Sequence, residues 1–218
     1  MLPDNIDQII ADLAALVAPA DAVNPYALGG PPGNALRRAN LHLALRLALA
    51  RGPDLLLVGE APGYNGARRT GVPFTSERLL LGGVAPLGQY GAAQGFALAT
   101  DDGRISAEPT ATIAYRELAA LGLFAVGWNA YPLHPHRPGV DQSNRTPRTA
   151  ELALGLPLLA RVCALFPAPA VAMGKSADRA LSALGVPHTK LRHPAQGGAA
   201  IFARGLRALA ATLGREGV

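Results

Sequence analysis

Residues 54–63 read Asp54-Leu-Leu-Leu-Val58-Gly59-Glu60-Ala61-Pro62-Gly63, an apolar run that stops at a glycine and continues as a polar loop. A continuous apolar run of this length is typical of a strand that is buried on both faces of a parallel sheet. Three similar runs follow along the chain, namely Leu123-Phe-Ala-Val126 leading into Trp128-Asn129, Ala170-Val-Ala-Met173, and the shorter Thr189-Lys-Leu-Arg192. We therefore predict four buried strands.

Helical patterns separate these runs. Apolar spacing predicts helices over residues 6–17, 36–50, 112–121, 149–166, 176–184 and 199–213. Pro157 lies inside one of them and predicts a kink. Strands that alternate with helices indicate the α/β class, with a parallel sheet covered on both sides. In such sheets ligands bind at the carboxyl ends of the strands, so the loops after the four strands are the candidate site.

The composition limits the class of protein. The 218 residues are half hydrophobic and predict a single domain over residues 1–218. Residues 82–110 are glycine-rich without a clear period and predict an insertion or hairpin. Cys163 is the only cysteine, which excludes a disulfide scaffold and a cysteine-ligated zinc or iron–sulphur site. With no membrane-length apolar run and no basic leader, we expect a cytoplasmic, nucleoid-associated monomer that contacts no membrane.

The basic residues are unusual in kind. The formal net charge is +5, and eighteen of the twenty basic residues are Arg, the others being Lys175 and Lys190. Arg makes planar, bidentate contacts with phosphate, so a nucleic-acid partner is admissible. A composition bias of the source genome explains the same count, and both explanations stay open.

Three loops carry polar residues with two possible interpretations each. The loop after Gly59 can bring backbone and the Glu60 carboxylate against a ligand, or it is an ordinary surface loop. Asn129 can donate and accept hydrogen bonds at once, which suits the edge of a base, whereas a lone Asn is otherwise a turn residue. His193 lies at a strand end where other polar loops converge, which favours catalysis over a structural role.

Two further patterns are weaker. His134 and His136 alternate as in some metal sites, but no third ligand accompanies them, so we predict a solvated loop and no metal. Gly174-Lys175-Ser176 resembles the end of a phosphate-binding loop, but Pro169 occupies the position of its first glycine. A helix N-terminus with Lys and Ser can still hold a phosphate, and a plain helix cap explains it equally well.

A resemblance emerges from the motifs taken together. They are Gly59-Glu-Ala-Pro-Gly63, Pro73-Phe74, Asn129, Asn144-Arg-Thr-Pro147 and His193-Pro194. In this order they resemble the uracil-DNA glycosylase superfamily, most closely its iron–sulphur branch, called family four, over about residues 55–209. The resemblance implies a three-layer αβα fold with a central four-stranded parallel sheet. It also implies a monofunctional DNA repair hydrolase that cleaves the bond between uracil and deoxyribose, leaves an abasic site, and uses no cofactor.

The resemblance implies a role for each motif residue. Glu60 would position the attacking water, and His193 would donate to uracil O2 as negative charge develops there. Phe74 would stack on a uracil flipped out of the DNA, and Asn129 would read its Watson–Crick edge. The remaining uracil contacts would come from Ala61, Gly63 and Tyr64. The DNA backbone would be held by Asn144, Arg145, Lys175, Ser176, Gln196 and Gly197.

The sequence also departs from the family pattern. Cys163 alone cannot hold the family-four cluster, and Ala61 stands where other branches carry a water-activating Asp or Asn. Gly63 replaces the Tyr that excludes thymine. Either Tyr64 or a residue of 65–69 takes that role, or thymine is discriminated poorly. Ala195-Gln-Gly-Gly198 offers no bulky wedge, so we expect single-stranded or mismatched DNA containing uracil as the substrate.

Two alternatives therefore stay open. One is a module of the same fold that binds damaged or single-stranded DNA without cleaving it. It is distinguished from an enzyme by whether Glu60 and His193 face one pocket. The other is a nucleotide-binding enzyme that uses Gly174-Lys175-Ser176, which the failed spacing disfavours.

Overall fold

The computed structural model describes residues 6–214 and shows a central sheet with helices on both faces. The helices in this range are α1 (Ile6–Ala15), α2 (Gly33–Arg51), α3 (Ala67–Thr70), α4 (Glu77–Gly82), α5 (Pro109–Ala120), α6 (Thr149–Leu165), α7 (Lys175–Ala183) and α8 (Ala199–Thr212). The strands are β1 (Ala22–Val23), β2 (Leu55–Gly59), β3 (Ala125–Asn129), β4 (His134–Pro135), β5 (Ala170–Met173) and β6 (His188–Leu191).

The main sheet has the strand order β3-β2-β5-β6, and every neighbouring pair is parallel. The register places Gly59 opposite Asn129 at the carboxyl ends of β2 and β3. β1 and β4 form a separate two-residue antiparallel ladder. The predicted α/β class and four-stranded parallel sheet are confirmed, with strand limits that differ from the expected ones by one or two residues. The prediction of burial is wrong for β6, where only Leu191 is buried, because this strand lies at an edge of the sheet.

Each face of the sheet has its own apolar core. Leu56 and Val58 of β2 point to a core that includes buried residues of α1, α2 and α6. Leu55 and Leu57 point to the opposite core, which includes residues of α5 and α8. Successive side chains of a strand face opposite sides, so a strand between two helical layers needs apolar residues throughout. All five residues of β2 are buried, and the three-layer αβα arrangement is confirmed.

The helices agree with their sequence patterns except near some ends. The helix expected over residues 112–121 begins at Pro109, because the Glu108 side chain accepts hydrogen bonds from the backbone N–H groups of Thr110 and Ala111. Proline at the first helical position is favoured because its missing N–H would lack a partner there. Pro157 lies within α6, which continues through it from Thr149 to Leu165.

Residues 82–110 contribute some buried side chains to the core. They contain two short 3₁₀ turns, Ala85–Leu87 and Ala92–Gln94, and a bridge between Val84 and Gln89. Three of its buried side chains, Leu87, Tyr90 and Phe96, pack into the core on the α5 and α8 face. The segment therefore buries apolar surface without a regular period.

A buried ion pair anchors the end of this segment. Glu77 is fully buried, and its carboxylate accepts from Arg69 Nε at 2.9 Å, from Ser106 N at 2.8 Å and from the Thr100 hydroxyl. Arg69 also forms a bidentate ion pair with Asp102. Burial raises the pKa of Glu77, but the hydrogen bonds from Arg69, Thr100 and Ser106 outweigh it and lower the pKa overall.

Replacing Glu77 with Ala should reduce the free energy of unfolding by about 3–5 kcal/mol, because it leaves a buried guanidinium without one of its partners. Urea denaturation at neutral pH measures this loss. The lowered pKa of Glu77 means that its contribution is present above the usual carboxyl range and is lost as the pH falls. The variant should therefore lose less stability than the native protein between neutral pH and about pH 4.

Asp141→Ala is the matched control, since it breaks an exposed pair with Arg68. Exposed pairs contribute about 0–1 kcal/mol. Equal losses in the two variants would contradict an anchoring role for the buried pair.

Candidate functional site

A cleft of about 960 Å³ lies at the carboxyl edge of the sheet. Each of the four parallel strands, or the loop that follows it, contributes to its lining. Eleven of the thirteen predicted site residues line it, the exceptions being Tyr64 and Gly197. The eleven are Glu60, Ala61, Gly63, Phe74, Asn129, Asn144, Arg145, Lys175, Ser176, Gln196 and His193.

Glu60 is held at the end of β2 by its backbone and its side chain. Its carbonyl oxygen accepts from Tyr131 N at 3.0 Å, which extends the β2–β3 pairing past the strand ends. The Ser176 hydroxyl, in the first turn of α7, donates to Glu60 Oε2 at 2.5 Å. The second carboxylate oxygen has no hydrogen-bond partner among the described residues. It is therefore available to accept a hydrogen bond from water.

Phe74 packs closely on β2 and β3, and Asn129 of β3 lies close to Gly59 of β2. Both contacts depend on glycine, because a side chain at these positions would leave no room. A Cβ atom at Gly59 would lie 2.7 Å from Phe74 Cζ and 2.9 Å from Asn129 Oδ1, and one at Gly127 would lie 2.8 Å from Phe74 Cδ2. Phe74 itself has a positive φ of 57°, which non-glycine residues adopt rarely and often at functional sites. The structure thus places an aromatic ring and an amide together in the cleft.

His193 follows β6, and one ring nitrogen is already occupied. The backbone N–H of Ala195 donates to His193 Nδ1 at 3.2 Å. A neutral ring that accepts at Nδ1 carries its proton on Nε2. Burial lowers the pKa of His193, while the negative charges of Glu108 and Glu60 partly offset that effect. His193 is therefore suited to donate one hydrogen bond from a neutral ring.

His134 braces the loop that follows Glu60, and here the prediction of a solvated loop is wrong. His134 is fully buried, with Nδ1 2.6 Å from Pro62 O and Nε2 3.1 Å from Asp141 O, and His136 is nearly buried beside it. Burial lowers the pKa of His134. The sequence could not show this because the two carbonyl groups come from loops on either side of the histidines.

Asn144 reaches the same loop. Its Oδ1 accepts from Tyr64 N at 3.0 Å, and it lies across from Gly63, where a Cβ would be 3.8 Å from Asn144 Oδ1. The Tyr64 side chain is not among the groups that line the cleft. This part of the cleft is therefore bounded by Gly63 and Asn144.

The Arg145 guanidinium is engaged by the protein itself. It makes a bidentate pair with Glu151, with both N–O distances at 2.8 Å, and also donates to the backbone oxygens of His136, Asp21 and Thr146. Its side chain is 15% exposed. These contacts occupy its donors and favour a structural role, so a phosphate contact by this guanidinium stays only a prediction.

The cleft is also lined by Glu108, Thr110, Arg179, Lys190 and Arg192, none of which is among the thirteen predicted site residues. Lys190 and Arg192 alternate along β6 and its end, and Arg179 follows Lys175 by one helical turn in α7. Those spacings place each pair on one face and could have revealed three of the residues. Glu108 and Thr110 carry no such signal, because they end a segment without a period.

Residues 6–214 contain neither a metal-ligand cluster nor a helix that could span a membrane. Within residues 6–214, no cluster of three or more His, Cys, Asp or Glu side chains is arranged to hold a metal ion. Over the same range, none of the helices combines the length and apolar character needed to cross a bilayer. Cys163 is a free thiol packed against the core in α6, and burial raises its pKa.

The fold and the cleft define an αβα protein with a candidate ligand site at the carboxyl edge of a parallel sheet. Residues 48–206 match the model of the uracil DNA glycosylase superfamily, and the chain belongs to that superfamily. Its structure is similar to the crystal structure of wild-type Pedobacter heparinus SMUG2, with a TM-score of 0.63 and 15% identity over 96% of each chain. At this identity the similarity shows the fold alone. No curated protein matches the sequence significantly.

Gly59→Ala should disturb the site while Gly63→Ala should not. The added methyl group at residue 59 would overlap Phe74 and Asn129, and overpacking of this kind costs about 1–3 kcal/mol. At residue 63 the methyl group would make ordinary contact with Asn144. Thermal unfolding of the two variants measures the difference, and a similar midpoint for both would contradict the close packing of Phe74 and Asn129 over β2.

Proposed function

We propose that this protein is a monofunctional DNA glycosylase that removes uracil, or a related deaminated base, from DNA and leaves an abasic site. The observation that carries the proposal is that Glu60 and His193 line one cleft together with Phe74 and Asn129. A module that only binds DNA has no need of a carboxylate and a neutral histidine in the same pocket. The superfamily membership supports the same reaction.

Base recognition is proposed to use the residues packed over β2 and β3. The Phe74 ring would stack on a uracil extruded from the strand. Asn129 is buried, and no other described group hydrogen-bonds its amide. That amide can accept from uracil N3–H and donate to O4. Cytosine presents the opposite pattern and would leave buried groups unpaired.

We propose that His193 and Glu60 carry out the chemical step together. The glycosidic bond breaks with its electron pair passing to uracil, whose O2 becomes negative while the sugar becomes positive. The Nε2–H of neutral His193 would donate to O2. The free oxygen of the Glu60 carboxylate would orient water toward the sugar carbon, and its charge would stabilise the sugar cation.

The DNA strand is proposed to cross the cleft beside α7 and β6. Lys175, Arg179, Lys190 and Arg192 are exposed on this side, and α7 begins here with its free N–H groups. Gln196, at a φ of 53°, lies in the loop that follows His193, where no bulky wedge is present. We therefore propose single-stranded or mismatched DNA as the preferred substrate of a monomeric, cytoplasmic enzyme.

The proposed kinship with family four rests on the Gly59-Glu-Ala-Pro-Gly63 and Asn144-Arg-Thr-Pro147 motifs. The Asn144 and Gly63 segments meet at the cleft through the hydrogen bond from Tyr64 N to Asn144 Oδ1. Cys163 has no second cysteine with which to ligate a cluster. We propose an enzyme similar to this branch that acts without iron and sulphur.

The direct test uses end-labelled oligonucleotides that carry one uracil, either single-stranded or opposite G or A, followed by alkaline cleavage at abasic sites. His193→Ala should reduce the single-turnover rate by about 10²–10³, the usual cost of one preorganised donor. His42→Ala is the matched control, because His42 lies outside the cleft on α2 and should leave the rate unchanged. Intact oligonucleotide at excess native enzyme, with DNA still bound, would favour the binding module instead.

The salt dependence of DNA binding tests the proposed path. Lys175→Ala and Arg192→Ala should each reduce the slope of log K against log salt by about 1, since each removes one phosphate contact. Arg116→Ala is the control, because Arg116 is exposed on α5 outside the cleft and pairs with Glu117. An unchanged slope in both cleft variants would place the strand elsewhere.

A further inference from the structure

Glu60 and Glu108 are the two acidic side chains that line the cleft, and neither forms an ion pair with a described residue. Most other carboxylates in residues 6–214 have a basic partner, such as Arg69 for Glu77, Arg68 for Asp141 and Lys190 for Asp178. An unpaired carboxylate repels an anionic strand and weakens binding. An unpaired carboxylate in a cleft that is proposed to bind DNA should therefore have a function that compensates for the weaker binding.

The Glu108 carboxylate is held in one place by the start of α5. Its Oε1 accepts from Thr110 N at 3.1 Å, and its Oε2 accepts from Ala111 N at 2.6 Å. The N-terminus of a helix stabilises a negative charge. The side chain also packs against the loop of Glu60, since a Cβ at Gly66 would lie 3.4 Å from Glu108 Cγ.

The segment that carries Glu108 is itself anchored. The buried Arg69–Glu77 pair binds Thr100, Asp102 and Ser106, just before Glu108 in the chain. This network restricts the backbone that enters α5. Glu108 is thus a fixed charge on an anchored segment.

We propose that Glu108 is a positioning residue of the reaction site, a fixed negative charge that acts on His193 and on the sugar cation formed as the glycosidic bond breaks. This inference rests on the proposed glycosylase function. The two carboxylates differ in their hydrogen bonds and therefore in their proposed roles. Glu60 keeps one oxygen free for water, whereas both oxygens of Glu108 are engaged by backbone N–H groups.

The electrostatic surroundings of His193 support this role. Burial lowers the pKa of His193 and Arg192 lowers it slightly further, whereas Glu108 and Glu60 raise it, with Glu108 the stronger. The charged side chains that line the cleft around it are Glu60, Glu108, Arg145, Lys175, Arg179, Lys190 and Arg192. Removing the charge at residue 108 should therefore lower the pKa of His193 further. Neutral His193 would then persist to lower pH.

The test separates the charge of Glu108 from its capping of α5. Ser and Asp both cap helices well, but only Asp is charged. Glu108→Ser should move the titration of the His193 ring, followed by NMR, to lower pH, while Glu108→Asp should leave it near the native value. The chain has five histidines, and the spectrum of His193→Ala identifies the resonance of interest. Thermal unfolding of both variants confirms that the fold is retained.

The same variants are compared for uracil release over a range of pH. Protonation of His193 adds a proton at Nδ1 and so displaces the Ala195 N–H that orients the ring, and activity should therefore fall at low pH. Glu108→Ser should shift this acid limb to lower pH and reduce the plateau rate. A purely structural role would change stability without moving the limb. An unmoved His193 titration in a folded Glu108→Ser variant would overturn the inference. Native protein that releases no uracil would instead overturn the proposed function, while the NMR titration still decides the role of Glu108.

Discussion

The parallel pairing of β2 with both β3 and β5 is the constraint on which the rest of the structure depends. With β6 added to β5, four strands run in one direction and all of their carboxyl ends meet at one edge. The register brings Asn129 beside Gly59, and so beside the loop that carries Glu60. Parallel strands need crossover connections, which become helices on both faces and bury the sheet. The cleft is thus a consequence of strand direction, and its polar residues need only occupy the strand ends.

Close packing at this edge of the sheet gives the cleft a defined shape around Phe74. The absence of side chains at Gly59 and Gly127 lets Phe74 contact the backbone of β2 and β3, at a positive φ that costs some backbone energy. Such a conformation persists only where its surroundings hold it. The buried Thr70 and Thr75 hydroxyls, 2.7 Å apart, do so by linking to each other and to Val72 O. Phe74 thus lies in a loop that is held in place by these hydrogen bonds and by packing against β2 and β3.

The electrostatics of the cleft match a reaction that separates charge. Exposed cations on α7 and β6 face the proposed path of an anionic strand, while the two carboxylates without ion pairs lie within the cleft. Hydrolysis of a glycosidic bond develops positive charge on the sugar and negative charge on the base. In the proposed mechanism a neutral histidine that donates from Nε2 would stabilise the base, and fixed carboxylates would stabilise the sugar. Because these groups are already oriented by Ser176, by Ala195 N and by the start of α5, they need little rearrangement during the reaction.

The sequence by itself determined the four strands of the sheet, the order of the longer helices and the polar residues at each strand end, because these depend on local periodicity and on glycine after an apolar run. Tertiary structure alone decided which of those residues are available. Arg145 is occupied by Glu151 and by the backbone of Asp21, 124 residues away, and His134 is buried between two carbonyl groups of separate loops. Glu108 lies in the cleft, although the segment that carries it has no hydrophobic periodicity from which its position could be predicted. Neighbours that are distant along the chain set the burial, the tautomer and the ion pairing of these residues. A local sequence pattern therefore does not predict these properties.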